Sequence, residues 1–108
     1  YENLQDTGII EGNNLTIKFN DLNNFPNPFN PTTTIKYSLK VNSKVSLNIY
    51  NIKGQKVRTL VSKVLPAGEH SIIWNGRDFN GNRVSSGVYF YKLKAGDYQE
   101  VKKMMLVK

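Results

Sequence analysis

The chain has 108 residues, no cysteine, a single histidine and tryptophan, and a formal net charge of +7. That length suits one domain with a core of its own, and the missing cysteines exclude a disulfide frame and a thiolate metal site. No run is long and apolar enough to read as a membrane-spanning helix or a signal peptide. Basic charge is compatible with nucleic acid, an anionic glycan or a membrane surface. The lysines are spread, however, with a modest concentration at Lys92, Lys94, Lys102, Lys103 and Lys108, and no nucleic-acid motif accompanies them. They read as a solvated strand face and as lysines that blunt a sheet edge.

In chain order, residues 1–24 read as a polar linker, with a candidate first strand at Leu15–Phe19, where apolar and polar residues alternate. The chain opens on Tyr1 rather than methionine, so it is expected to be part of something longer. Asn24-Phe25-Pro26-Asn27-Pro28-Phe29-Asn30-Pro31 follows. Proline fixes φ, removes a donor and holds the residue before it extended. The segment is expected to be a stiff entry, not a ladder strand, pinned to the core by Phe25 and Phe29. A polyproline-type ligand is the alternative.

Thr32–Leu39 is predicted as a strand with Ile35, Tyr37 and Leu39 on one face, and Lys44–Tyr50 as another with Val45, Leu47 and Ile49 inward. Asn51-Ile52-Lys53-Gly54 is a turn of hairpin length with Gly54 at positive φ, and Gln55–Val61 is the return strand. Gly68–Leu93 is the stretch on which the chain is organised. It holds Trp74 and the cluster Tyr89, Phe90 and Tyr91 in two strands, His70–Trp74 and Val88–Leu93. Asn75-Gly76, Asn80-Gly81 and Ser86-Gly87 punctuate the connection between them. Ala95-Gly96-Asp97 turns into a last strand, Tyr98–Val107. No helical periodicity extends over ten residues. Short strands with turn signals about every ten residues predict an all-β, immunoglobulin-like antiparallel sandwich of about seven strands. Its core is expected around Trp74, Ile35, Leu47, Ile49 and Tyr89.

The chemistry-bearing residues are sparse. His70 lies between Glu69 and Ser71, but neighbours on a strand point to opposite faces, so the three do not form a triad. The acids Asp78, Asp97 and Glu100 fall on turns and strand ends, with nothing to pair two of them across a cleft. Asp78 and Asn80 place oxygens at alternate positions, as a calcium loop does, but its twelfth position would be Tyr89 rather than a bidentate glutamate. The competing reading is that both side chains cap their own turn. Tyr50, Tyr91 and Tyr98 are candidates for a sugar-stacking platform, against the commoner use of strand tyrosines in cross-strand packing.

Four stretches resemble the C-terminal sorting domains of the bacterial type IX secretion system: Phe25–Pro31 with the strand behind it, Tyr50–Val57, Ser86–Leu93, and the basic-apolar Val101–Lys108. Together they span residues 25–108. Trp74-Asn75-Gly76-Arg77-Asp78 with Gly81 also resembles the immunoglobulin-like part of flagellar hook-capping proteins, which usually carry aspartate where this chain has Asn75. The resemblance implies a non-catalytic sorting domain over 25–108, carried by a larger exported protein. Its partners would be the outer-membrane secretion machinery, a sortase-like peptidase and an upstream cargo domain. Its route would lead through the periplasm to the cell surface or medium. No cofactor, nucleic acid or transmembrane segment is expected. Recognition is assigned to Gly87–Leu93 and Val101–Lys108, with Gly87, Val88, Tyr89, Phe90, Tyr91, Lys102, Lys103 and Lys108 singled out. A carbohydrate-binding module of a secreted glycoside hydrolase, or a packing module, is the alternative function.

Overall fold

A computed structural model describes residues 21–108; the expected strand at Leu15–Phe19 lies outside them. Among the described residues seven strands are formed: β1 Leu22–Phe25, β2 Thr33–Leu39, β3 Ser43–Tyr50, β4 Lys56–Leu65, β5 Gly68–Trp74, β6 Gly87–Ala95 and β7 Tyr98–Leu106. They make two antiparallel sheets, one ordered β1-β2-β5 and the other β4-β3-β6-β7. The all-β sandwich expected from the alternation is the fold observed, and no helix occurs among the described residues.

Alternation decides which way each strand faces. On β3, Val45, Leu47 and Ile49 are fully buried and the residues between them are not. On β2, Ile35, Tyr37 and Leu39 are buried. The inner faces of the two sheets meet around Trp74, whose ring lies 5.7 Å from Phe29 and 5.4 Å, edge-on, from Tyr89. Such tilted and edge-to-face rings satisfy the aromatic quadrupole while burying large apolar areas. All five residues expected in the core are buried.

The entry segment departs from expectation in two respects. Leu22–Phe25 is a ladder strand, with Leu22 opposite Tyr37 and Phe25 opposite Thr34. Its prolines begin only after Phe25, so none of the ladder donors is lost. Of the two phenylalanines, only Phe29 enters the core, at 2% exposure; Phe25 is 76% exposed. The alternation of β1 places Leu22 inward and Phe25 on the opposite face.

The β3–β4 turn closes as expected. Asn51 Oδ1 accepts from the backbone amides of Lys53 and Gln55 at 2.9 and 3.0 Å, and Gly54 adopts φ 82°. β4 runs past the expected end at Val61 to Leu65, and it is bulged against β3 at two points.

Candidate recognition surface

The β6–β7 hairpin carries most of the residues assigned to recognition, and its register divides them. Tyr89 and Tyr91 point inward, 6% and 1% exposed, so they belong to the core rather than to a docking surface. Each ring buries its face and keeps a partner for its hydroxyl. Tyr89 donates to the Ser85 carbonyl at 2.6 Å and Tyr91 to Asn24 Oδ1 at 2.9 Å. Burial first, and then the Glu100 carboxylate, push the Tyr91 phenol up to about 12. Val88 and Phe90 point outward and are half-buried. Lys102 shares the inner side of β7 with Met104 and Leu106 yet is exposed, while Lys103 lies on the outer face. Gly87 pairs with Leu106 at the end of the ladder, and Lys108 is exposed beyond it.

Cross-strand rows define the outer face of the large sheet. Val88 lies opposite Met105, Phe90 opposite Lys103, Lys92 opposite Val101 and Lys94 opposite Gln99. On the other flank of β6, Tyr50, Asn48 and Ser46 of β3 continue the rows of Phe90, Lys92 and Lys94. Lys94 lies outside the stretches assigned to recognition from the sequence, and Lys92, Val101 and Met105 lie inside them without being singled out. Strand alternation counted from Tyr89 would have placed them there.

The proline-rich segment braces this hairpin from its open side. The Phe29 amide donates to the Met105 carbonyl and the Val107 amide donates to the Phe29 carbonyl, both at 2.9 Å. Asn27 adds two bonds through its side chain: Oδ1 accepts from the Met105 amide at 3.1 Å and Nδ2 donates to the Lys103 carbonyl at 3.4 Å. The backbone edge of β7 is thereby satisfied from Lys103 to Val107. A bare strand edge is a template for unwanted pairing, and this contact covers half of it. Behind the latch, the Thr33 hydroxyl donates to the Pro26 carbonyl at 2.9 Å and Asn24 Nδ2 donates to Thr33 Oγ1 at 3.0 Å. Those bonds tie the latch to the small sheet and to Tyr91.

Among the described residues, the remaining candidates lie at separate places in the fold. Asp78 Oδ1 accepts from the amides of Asn80 and Asn82 at 2.9 and 3.0 Å, which is the turn-capping role. Among the described residues, no three His, Asp or Glu side chains gather as a metal site. His70 stacks on Tyr37 at 5.5 Å, and its Nε2 donates to the Pro66 carbonyl at 2.8 Å. Glu69 and Ser71 point to the other face and are exposed. Tyr50, Tyr91 and Tyr98 do not share a platform, because Tyr91 is inside. Tyr98 is half-buried and donates to Glu100 Oε1 at 2.5 Å. Burial and that bond hold its phenol near 12. A polar cleft lies at one end of the sandwich between Asn51, Gln55, Asp78, Asn80 and Arg83, with Phe79 as its exposed ring. No described helix crosses a membrane.

Comparisons with known proteins agree with this architecture. The PorZ structure, from a study that calls the protein an essential bacterial surface component of the type IX secretion system of Porphyromonas gingivalis, superposes with a TM-score of 0.59 at 24% identity. The match covers 81% of this chain and 11% of PorZ. Dimeric latent PorU from the same organism superposes at 0.63 and 23% identity, covering 82% of this chain and 9% of that one. The FlgD structure from P. aeruginosa gives 0.55 at 27% identity, over 68% of this chain and 58% of FlgD. The chain thus spans about a tenth of PorZ and PorU, and at these identities those two superpositions establish the fold alone. No curated protein matches the chain. The model of the FlgD Ig-like domain matches residues 29–99, from the latch phenylalanine to the second residue of β7, and the chain belongs to that family of immunoglobulin-like domains.

Proposed function

We propose that the domain is a non-catalytic sorting module that directs a larger exported protein through the type IX route to the cell surface or medium. One observation carries this reading. Three of the four stretches that resemble sorting domains form one hydrogen-bonded unit: the proline-rich latch at 25–31 is bonded to the stretch 101–108, most of which lies in β7, and β7 is paired along its length with β6. Stretches far apart in sequence that build one surface suit a feature read as a whole by a partner. The likeness of the fold to domains in PorZ and PorU supports the same direction. The partners would be the outer-membrane secretion machinery and a sortase-like peptidase acting upstream, with the cargo on the N-terminal side.

The test fuses the 108-residue chain to the C-terminus of a fluorescent passenger in a bacterium with a working type IX system. Surface or medium delivery is expected. Retention in the periplasm, while a native sorting domain delivers the same passenger, overturns the reading.

A second reading, carbohydrate binding, is favoured only by Phe79, 60% exposed beside the amides of the polar cleft. One ring without a second in line makes a weak stacking site. Affinity electrophoresis through xylan or soluble cellulose derivatives is expected to show no retardation, and clear retardation would put this reading first.

A further inference from the structure

We infer that the outer face of the four-stranded sheet docks a protein partner whose matching surface is acidic around an apolar centre. This rests on the sorting reading and names the partner chemistry that reading needs. The face is not an ordinary solvated one. The register sets Val88 beside Met105 and Phe90 beside Lys103, with Lys92 in the next row. The apolar side chains are therefore contiguous rather than scattered. Met105 is 43% exposed, and Val101, opposite Lys92, is 54% exposed.

Charge on this face has one sign. Lys92 and Lys94 are neighbours on the same side of β6, and Lys103 lies one strand away. The described acids lie elsewhere. Asp21 and Glu69 border the small sheet, Asp78 is in the long loop, Asp97 in the β6–β7 turn, and Glu100 on the inner side of β7. Like charges side by side on a sheet repel. A partner carboxylate relieves that repulsion and desolvates with a charge-assisted bond.

The apolar composition decides among anionic partners. The rings on this face, Phe90 and Tyr50, are half-buried, and its exposed apolar side chains, Met105 and Val101, are aliphatic with no face on which a base stacks, so a nucleic acid would leave them uncovered. A bilayer takes apolar groups that penetrate about 5–10 Å, whereas Val88 and Phe90 are half-buried in the sheet and share their rows and neighbouring rows with Lys103 and Lys92. A protein surface covers aliphatic and cationic groups together, an apolar centre inside a charged rim. The opposite face of the sandwich is a built-in control. Lys36 lies there with Asp21 and Glu69, so its charges are mixed.

The experiment uses the passenger fusion of the full chain. K92E/K94E/K103E is expected to cut surface delivery about tenfold or more while the melting midpoint holds, because all three side chains point outward. K36E is expected to deliver as the parent does. Should the triple glutamate variant fold poorly, K92Q/K94Q/K103Q removes the same three charges without adding acids. In parallel, p-benzoylphenylalanine at Val101 is irradiated in cells. An adduct to a protein, through an acid-rich peptide and lost in the triple variant, is the expected result. Equal delivery by parent and charge variants, or an adduct to lipid or nucleic acid in place of protein, overturns the proposal. Delivery of the unaltered fusion reads the sorting assignment separately, so failure of that assignment and failure of the face are different results.

Discussion

Phe29 and Leu106 form a parallel bridge, and through it one residue of the proline-rich segment works twice. Its backbone extends the large sheet by one rung, bonded to Met105 and Val107, while its ring sits 5.7 Å from Trp74 in the core. The rung depends on Asn27, whose amide side chain copies a strand residue by accepting from the Met105 amide and donating to the Lys103 carbonyl. Asn27→Ala removes both bonds at an exposed site and is expected to cost about 1–2 kcal/mol. For a domain of this size, that lowers the melting midpoint by about 4–15 °C. Hydrogen exchange at the Met105 amide should quicken more than at amides of β3. Unchanged exchange there would show that the latch does not hold the edge in solution.

Trp74 is fully buried, and its indole Nε1 donates to the Arg77 carbonyl at 2.9 Å. Trp74→Ala opens a cavity against Phe29 and Tyr89 and strands that carbonyl. The expected loss is about 3–5 kcal/mol, read from a denaturant melt. Trp74→Phe keeps most of the volume and should lose less than half as much.

The strands with clean alternation were legible in the sequence, because a period of two reports which face is buried. Val45, Leu47 and Ile49 are an unbroken example, and Trp74 announced the core by its size alone. The β1 strand was not legible. Four residues, Leu-Asn-Asn-Phe, carry one inward apolar side chain, too few to show a period. The recognition surface was half legible. Tyr89 and Tyr91 were assigned to it by motif, although alternation sends them to the core together and sends Lys92 and Lys94 outward. The Asn27 latch had no local signal, since its partners are Lys103 and Met105, more than seventy residues away.

Alkaline pH should destabilise the domain through two phenols, one buried and one half-buried. Tyr91 and Tyr98 are both pushed from 10.0 to about 12 in the fold, Tyr91 by burial and Glu100, Tyr98 by burial and its bond to Glu100. A raised pKa means that the neutral form is the one the fold favours. Its contribution is complete below the unfolded value near 10 and is lost as pH rises toward 12. Melting midpoints should therefore fall between about pH 10 and 12. Tyr91→Phe leaves no proton to lose, so its curve should be flatter over that window than the parent's, whatever its midpoint at neutral pH. Parallel curves for parent and variant would remove Tyr91 from the account.

Gly76 tests how the long loop is seated on the sandwich. It is buried, adopts φ 74°, and its carbonyl accepts from the Val84 amide at 3.0 Å, which closes the loop on itself. A side chain here meets two penalties. Positive φ costs a non-glycine residue about 1–2 kcal/mol. A Cβ would also stand 3.0 Å from the Pro31 carbonyl oxygen, with Leu106 Cδ2 at 3.9 Å on its other side. That oxygen belongs to the backbone of the latch's last residue and cannot swing away as a side chain would. Gly81, in the same loop, separates the two effects. It has φ 81°, but a Cβ there meets open space. Gly81→Ala is therefore expected to cost the conformational penalty alone, about 1–2 kcal/mol, and Gly76→Ala roughly 1–3 kcal/mol more, as overpacking does. Denaturant melts with unchanged slope would measure both. Equal losses at the two positions would mean that the Pro31 carbonyl yields, and that the loop and the latch are not packed as one unit.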